Sequence, residues 1–319
     1  MTGVTSSVLP GLPGASDDPG TGPVVDTLVD GLLGDVVPVP AAVGPAGVVG
    51  GDTVARPPVA DAVAAHRDHR ASWYGDLLGP MRVPAASVAD VVAALLPRDH
   101  ALPVTLVVPS VPGAVLDPQV DPVAELHAAR ALLVDDDRIE VVGVELPLPG
   151  GPEPAAAARR ALAALDVSVP AWFVVPPDVR WLPALDVLAA DGAESVALHV
   201  GSGADADVAG AAAVLRRAVD LDVAVAATSG ELPVVTEDSG CGLLNLLCAV
   251  RAALNGASPE EVTAVLACRR PEPLCSAARR MSDADAAVVR AFLPLLTTPS
   301  VREAVAELES LSLIAPDAA

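Results

Sequence analysis

Between Ser195 and Asn255 the chain alternates VALHVGSG and DVAVAATSGE with ADADVAGAAAVLRRAV and CGLLNLLCAVRAALN. Two apolar runs that end in Gly, Ser and Thr, each followed by a stretch of helical period, describe a βαβα unit. A crossover of this length makes the two strands parallel and gathers their loops at the carboxyl ends. This unit constrains the fold more than any other feature, because the same alternation recurs from residue 56 onward.

Strands are expected at 81–83, 102–109, 139–148, 171–176, 195–200 and 223–228, with helices between them. The helix starts carry chemical signals: Ser87 with Asp90, Asp121 before Pro122, Glu153 before Pro154, and Ser258-Pro259-Glu260-Glu261. The last seventy residues read mainly as helix, with Ser282/Asp285 and Ser300/Glu303 as further capping pairs. Within them, 272–277 and 291–297 are expected as the seventh and eighth strands, Pro294 making the latter a poor central one. The pattern predicts an α/β fold, a parallel (β/α)8 TIM-type barrel irregular at its closure, with a doubly wound open sheet as the alternative. Residues 1–55 are rich in Gly, Pro, Ser and Val and contain no basic residue. They are read as a low-complexity, disordered acidic extension, with the barrel over 56–319. Within the extension, 24–37 carries Val25, Leu28, Val29 and Leu32 at helical spacing and could dock on a partner or on the barrel, a transient helix in a tail being the favoured reading.

Composition removes several functions. Aromatic residues are 2% of the 319 and the formal net charge is −22, which deprives nucleic acid of stacking platforms and repels phosphate backbones and anionic membranes. All nineteen basic residues are Arg. Without Lys there is no side-chain Schiff base, no lysine-anchored pyridoxal phosphate and no Walker P-loop. The four Cys, at 241, 248, 268 and 275, lack the short spacing of zinc knuckles and are read as reduced packing residues. No signal-peptide pattern opens the chain, so a cytoplasmic location is expected, with no metal and no cofactor.

Candidate groups cluster at the strand ends. Glu145 stands in an otherwise apolar strand, where a carboxylate needs a partner or solvent. His199 ends the strand of the organising unit and is a candidate base; alternation puts Leu198 and Val200 on one face and His199 on the other, without saying which face is the pocket. Glu231 follows the next strand and completes a candidate catalytic set of Glu145, His199 and Glu231; Asp178 is a further loop carboxylate. Ser202, Gly203, Thr228, Ser229 and Gly230 offer hydroxyls and backbone N–H groups at helix starts, an arrangement suited to a small anionic metabolite. Asn245 lies in a helix that is apolar on nearly every side, so it either closes the pocket or ties a loop carbonyl, the tie being favoured. His66 and His69 have the i, i+3 spacing of a metal pair, but Arg67, Asp68 and Arg70 among them make a solvated charged face the better reading. Trp73 and Tyr74 are expected to anchor that helix to the core.

From roughly Val54 to Ile314 the order and spacing of motifs resembles an uncharacterised bacterial family of TIM-barrel-like proteins. ARPPVADAVAAHRDHRASWYGDLLGPMRVP is similar to that family's FPP segment, helix and WMLGRFV-P run, and ELESLSLI to its closing helix. Where the family has K-x-R-T-G-G, this chain has Leu198, His199 and Val200 and keeps Gly203. Where the family has F-K-A-T-A-G-L-H-H-P, it has Ala226 for the lysine, keeps Thr228 and Gly230, and has Glu231 and Leu232 before the histidine positions. In place of H-G-F-L-N it has Cys241 for the histidine and keeps Gly242 and Asn245. LPLLTT stands where the family has a serine- and cysteine-bearing strand. The resemblance implies a barrel that has lost most of the family's polar strand ends.

Three readings follow. The first is a non-catalytic or weakly active relative of a barrel enzyme that binds a small molecule or a protein partner. The second is a small-molecule lyase, isomerase or hydrolase in which Glu145, His199 and Glu231 do acid–base work. The third makes the acidic N-terminal segment the functional part, carried by the barrel.

Overall fold

The computed structural model describes residues 28–36, 58–97, 99, 101–108, 122–148, 153–165, 169–200, 207–228, 233–236, 241–298 and 300–315. Val- and Ala-rich runs form parallel strands β2 (Met81–Pro84), β3 (Leu102–Val107), β4 (Ile139–Pro147), β5 (Ala171–Val175), β6 (Ser195–His199) and β7 (Ala224–Thr228). Two short strands, β1 (Leu33–Gly34) and β8 (Leu296–Thr297), complete an eight-stranded sheet in the order β1-β8-β7-β6-β5-β4-β3-β2. Isolated bridges Leu33↔Leu78 and Val36↔Arg82 join its two ends, so the sheet closes into a TIM-type (β/α)8 barrel.

Helices cover the outside: α1 (Val59–Arg70), α2 (Val88–Ala94), α3 (Pro122–Ala131), α4 (Pro154–Ala164), α5 (Leu182–Ala190) and α6 (Val208–Asp220). They pack on the outward residues of the strands, among them Val83, Leu106, Val144, Phe173, Val196, Leu198 and Val225, all nearly or fully buried. Each such side chain removed from water contributes about 1.5–3 kcal/mol, which is why the apolar face turns outward under helices. After β7 the chain adds α7 (Leu243–Leu254), α8 (Pro259–Leu266), α9 (Pro271–Arg279), α10 (Asp283–Phe292) and, past β8, α11 (Val301–Ser310). Helices α6, α8, α9 and α10 pack around α7, leaving it buried on nearly every side, as its apolar sequence requires.

Several expectations change here. The first strand comes from residues assigned to the extension: Leu28, Val29, Leu32 and Leu33 are fully buried, and β1 pairs with β8. The barrel therefore begins before residue 56, while 1–27 and 37–57 lie outside the described residues. Residues 272–277 belong to α9 rather than to a strand, because Pro271 opens a helix whose Leu274, Cys275, Ala277 and Ala278 face the core. Of 291–297 only Leu296–Thr297 pairs; Pro294, lacking an N–H, precedes the ladder. Ser258 and Ser282 form full capping boxes with Glu261 and Asp285, but Ser87 and Ser300 make no cap through their side chains. His66 and His69 are buried rather than solvated, and of the aromatic pair Tyr74 is buried while Trp73 is 44% exposed.

Candidate functional site

Residues paired across neighbouring parallel strands share a face. The pairs Arg82↔Thr105 and Thr105↔Gly143 put one layer of side chains inside the barrel, and Glu145↔Trp172 the next. On the far side, His199↔Thr228, Thr228↔Thr297 and Thr297↔Gly34 continue the inner face to the seam. His199 thus faces inward with Glu145, whereas Leu198 is fully buried on the outer face. The step that brings Glu145 inward is irregular: the register shifts between Val104 and Thr105, leaving an extra residue, Val142, in β4. Gly143 is needed beside it, since a Cβ there would come within 2.7 Å of the Trp172 ring.

The centre of the inner face is an ion pair. Arg82 Nε donates to Glu145 Oε2 at 3.0 Å and Nη2 to Oε1 at 2.5 Å, a bidentate fork. Only 13% of the Arg82 and 4% of the Glu145 side chain is exposed. Arg82 was not singled out from the sequence, although the argument that picked Glu145, a charge in an apolar strand, applies to it equally. His199 is held below the usual histidine range, first by burial and then by the Arg82 charge, with Glu145 partly opposing. Its Nδ1 lies 3.4 Å from Thr228 Oγ1, a long contact. Among the described residues, Thr105 Oγ1 and Thr297 Oγ1, also inward-facing and buried, have no hydrogen-bond partner. The arrangement offers a neutral imidazole, hydroxyls and a charge-balanced pair around one interior.

Asn245 does not belong to this set. It is fully buried, its Nδ2 donates to the carbonyls of Val265, Leu266 and Cys268 at 2.8–3.0 Å, and its Oδ1 accepts from Thr236 N–H at 3.1 Å. It closes the orphan carbonyls at the end of α8 and fixes residues 233–236. Glu307 holds the same stretch from α11, its carboxylate accepting from Val234 and Val235 N–H. Gly242 at the start of α7 lets this knot close, since a Cβ would meet Asn245 Oδ1 and Thr236 N at 2.6 Å. Of the two roles open to Asn245, closing the pocket or tying a loop carbonyl, its geometry is that of the favoured tie, with its amide protons already engaged.

Ser202, Gly203, Ser229, Gly230 and Glu231 lie outside the described residues. Asp178 caps a short helical turn and pairs with exposed Arg180, whose hydrogen bonds pull its carboxyl below the ordinary range; it is not part of the Glu145 group. Among the described residues no cluster of His, Cys, Asp or Glu is arranged to hold a metal ion. All four cysteines are free and buried, and burial pushes the Cys241 and Cys248 thiols up to about 12, far from nucleophilic thiolates. A cavity of about 480 Å³ opens elsewhere, against α3 and the start of β4, lined by His127, Arg130, Leu133, Val134, Ile139 and Val141. It is at the opposite end of the strands from His199 and Glu145. No helix among the described residues is long and apolar enough to cross a membrane. No protein-family model matches the chain, and no curated protein matches it.

Proposed function

We propose that the barrel binds a small, uncharged, hydrogen-bonding molecule at the carboxyl ends of its strands, and that it is a non-catalytic or weakly active protein of barrel-enzyme type. The observation that carries this reading is the closed Arg82–Glu145 fork. With both oxygens accepting from Arg82, Glu145 is not free to take a proton from a substrate. With its charge balanced, Arg82 offers little to an anion, and the net charge of −22 opposes one further. An uncharged ligand thus fits better than the anionic metabolite suggested by the strand-end hydroxyls. His199, neutral at physiological pH, can donate from one ring nitrogen and accept at the other, and Thr228 beside it can do the same through its hydroxyl.

One observation favours a second reading. A neutral, inward-facing imidazole beside a hydroxyl is also a competent general base, so His199 can serve a lyase, isomerase or hydrolase reaction without help from Glu145.

Native mass spectrometry of untagged full-length protein, purified gently from its own cells, tests the binding reading. The expected result is a retained small neutral mass that Thr228→Val loses. An empty wild-type protein, or a mass retained equally by Thr228→Val and His199→Phe, overturns it. Turnover of the retained molecule, abolished in His199→Gln, moves the assignment to the enzyme.

A further inference from the structure

The helices that cover the barrel do not close evenly around it. Among the described elements α1 packs on α2, α4 closely on α5 and α5 on α6, whereas α3 makes no comparable contact with α4. The outer face of β4 lies under that gap. Val141 pairs with the outward-facing Val104 and shares its face, yet it is only half-buried, while the outward Leu106 and Val144 are fully buried. A parallel barrel strand needs cover on this side, and beside α3 the described residues leave part of it open.

The opening is the cavity of about 480 Å³, a volume within the range of small-molecule sites. Leu133, Ile139, Val141 and Val169 give it an apolar floor. Its wall is one side of α3 and of the turn that follows. His127, Arg130 and Val134 are spaced i, i+3 and i+7 and line the opening, while Leu126 and Ala129 on the adjoining side are buried against the barrel. Val134 at the rim is 78% exposed, an apolar side chain left in water beside an apolar floor. An Arg carries a fixed positive charge on a stem that can lie along apolar surface, and Arg130, half-buried, is placed to do both. His127, one turn earlier, brings a ring N–H to the same rim.

We propose that this groove between α3 and β4 binds a small monocarboxylic acid with a hydrocarbon tail, of the medium-chain fatty acid class. The tail covers the floor, Arg130 holds the carboxylate, and His127 donates a further hydrogen bond. Arg82 inside the barrel is engaged by Glu145, whereas Arg130 lines the opening itself. The net charge of −22 opposes any anion at long range, so the head is held by short-range bonds, and one carboxylate meets that opposition less than a phosphate or a dicarboxylate does. The groove lies outside the barrel and does not rest on the reading of its interior given above.

Equilibrium dialysis of the full chain against radiolabelled octanoate at neutral pH tests the site, with hexanoate and octanol as comparisons. Octanoate is expected to bind more tightly than hexanoate by about fourfold for each methylene added, because the longer tail covers more of the floor. Octanol, with the same tail and no charge, is expected to bind about tenfold more weakly than octanoate. Arg130→Met keeps an apolar wall and removes the partner of the head, so octanoate is expected to fall to the level of octanol. Val134→Asp changes a side chain that already stands in water and puts a like charge at the rim; it is expected to weaken octanoate and spare octanol, and it serves alone if Arg130→Met does not fold. No bound octanoate, octanol held as tightly as octanoate, or an octanoate affinity that these variants leave unmoved overturns the proposal.

Discussion

Two of the polar centres that the barrel buries differ in completeness. Around Asn245 each amide proton finds a carbonyl and the amide oxygen finds an N–H, so the group rigidifies the end of α8 and the stretch before α7. Inside the barrel, Arg82 and Glu145 satisfy each other, but among the described residues His199 has one long contact and the hydroxyls of Thr105 and Thr297 have none. A centre that serves only the fold is completed within the fold. Polar groups left unpaired in a closed interior cost stability and remain available to something that enters.

The comparison can be broken most severely at the ion pair. Arg82→Met leaves Glu145 buried and unpaired and is expected to cost about 3–5 kcal/mol in urea denaturation, while adding Glu145→Leu is expected to recover much of it. A small loss in the single variant would mean that the pair is solvated and the interior open. Asn245→Ala, which orphans the α8 carbonyls and Thr236 N–H, is expected to lose about 2–3 kcal/mol in the same measurement. Little change there would place Asn245 among groups that do not hold the fold.

The His199 effect is smaller and depends on pH. Its native proton affinity lies below that of the unfolded chain, so its contribution to stability is complete above the unfolded value and is lost as pH falls through the depressed folded one. His199→Phe is expected to flatten that part of the stability–pH curve, read by thermal denaturation across the acidic range. Thr228→Val is expected to shift stability by no more than about 1 kcal/mol while abolishing retention of the bound mass, which separates binding from folding. The least effect is expected at exposed Arg180, where Arg180→Ala changes neither stability nor binding, because its pair with Asp178 faces solvent.

Much of the fold was legible because its signals are local. Each of the six strands expected from apolar runs is present, as β2 to β7, and the capping boxes at Ser258 and Ser282 formed as their spacing requires. The failures lie where a local signal was too short or ambiguous. Leu33–Gly34 is two residues long and owes its place in the sheet to β8, far along the chain. The stretch 272–277 has strand length but follows a proline that starts α9. In the site, Glu145 and His199 were recognisable as charges or imidazoles in apolar strands, whereas Arg82 passed unnoticed in a short strand and His66 and His69 looked solvated among charged neighbours.

The sequence by itself determined the parallel alternation with helices outside, the burial of α7 and the exclusion of lysine chemistry. These follow from period, propensity and residue type, which act over one or two turns of chain. Only the tertiary structure decided that residues 28–36 close the barrel, that His199 faces inward, and that Asp35 meets two buried histidines. The partners that settle those points stand far apart in sequence, 63 residues for Arg82 and Glu145 and 34 for Asp35 and His69. No local pattern encodes a pairing of that range; it arises when the sheet curls and brings the strands into one ring.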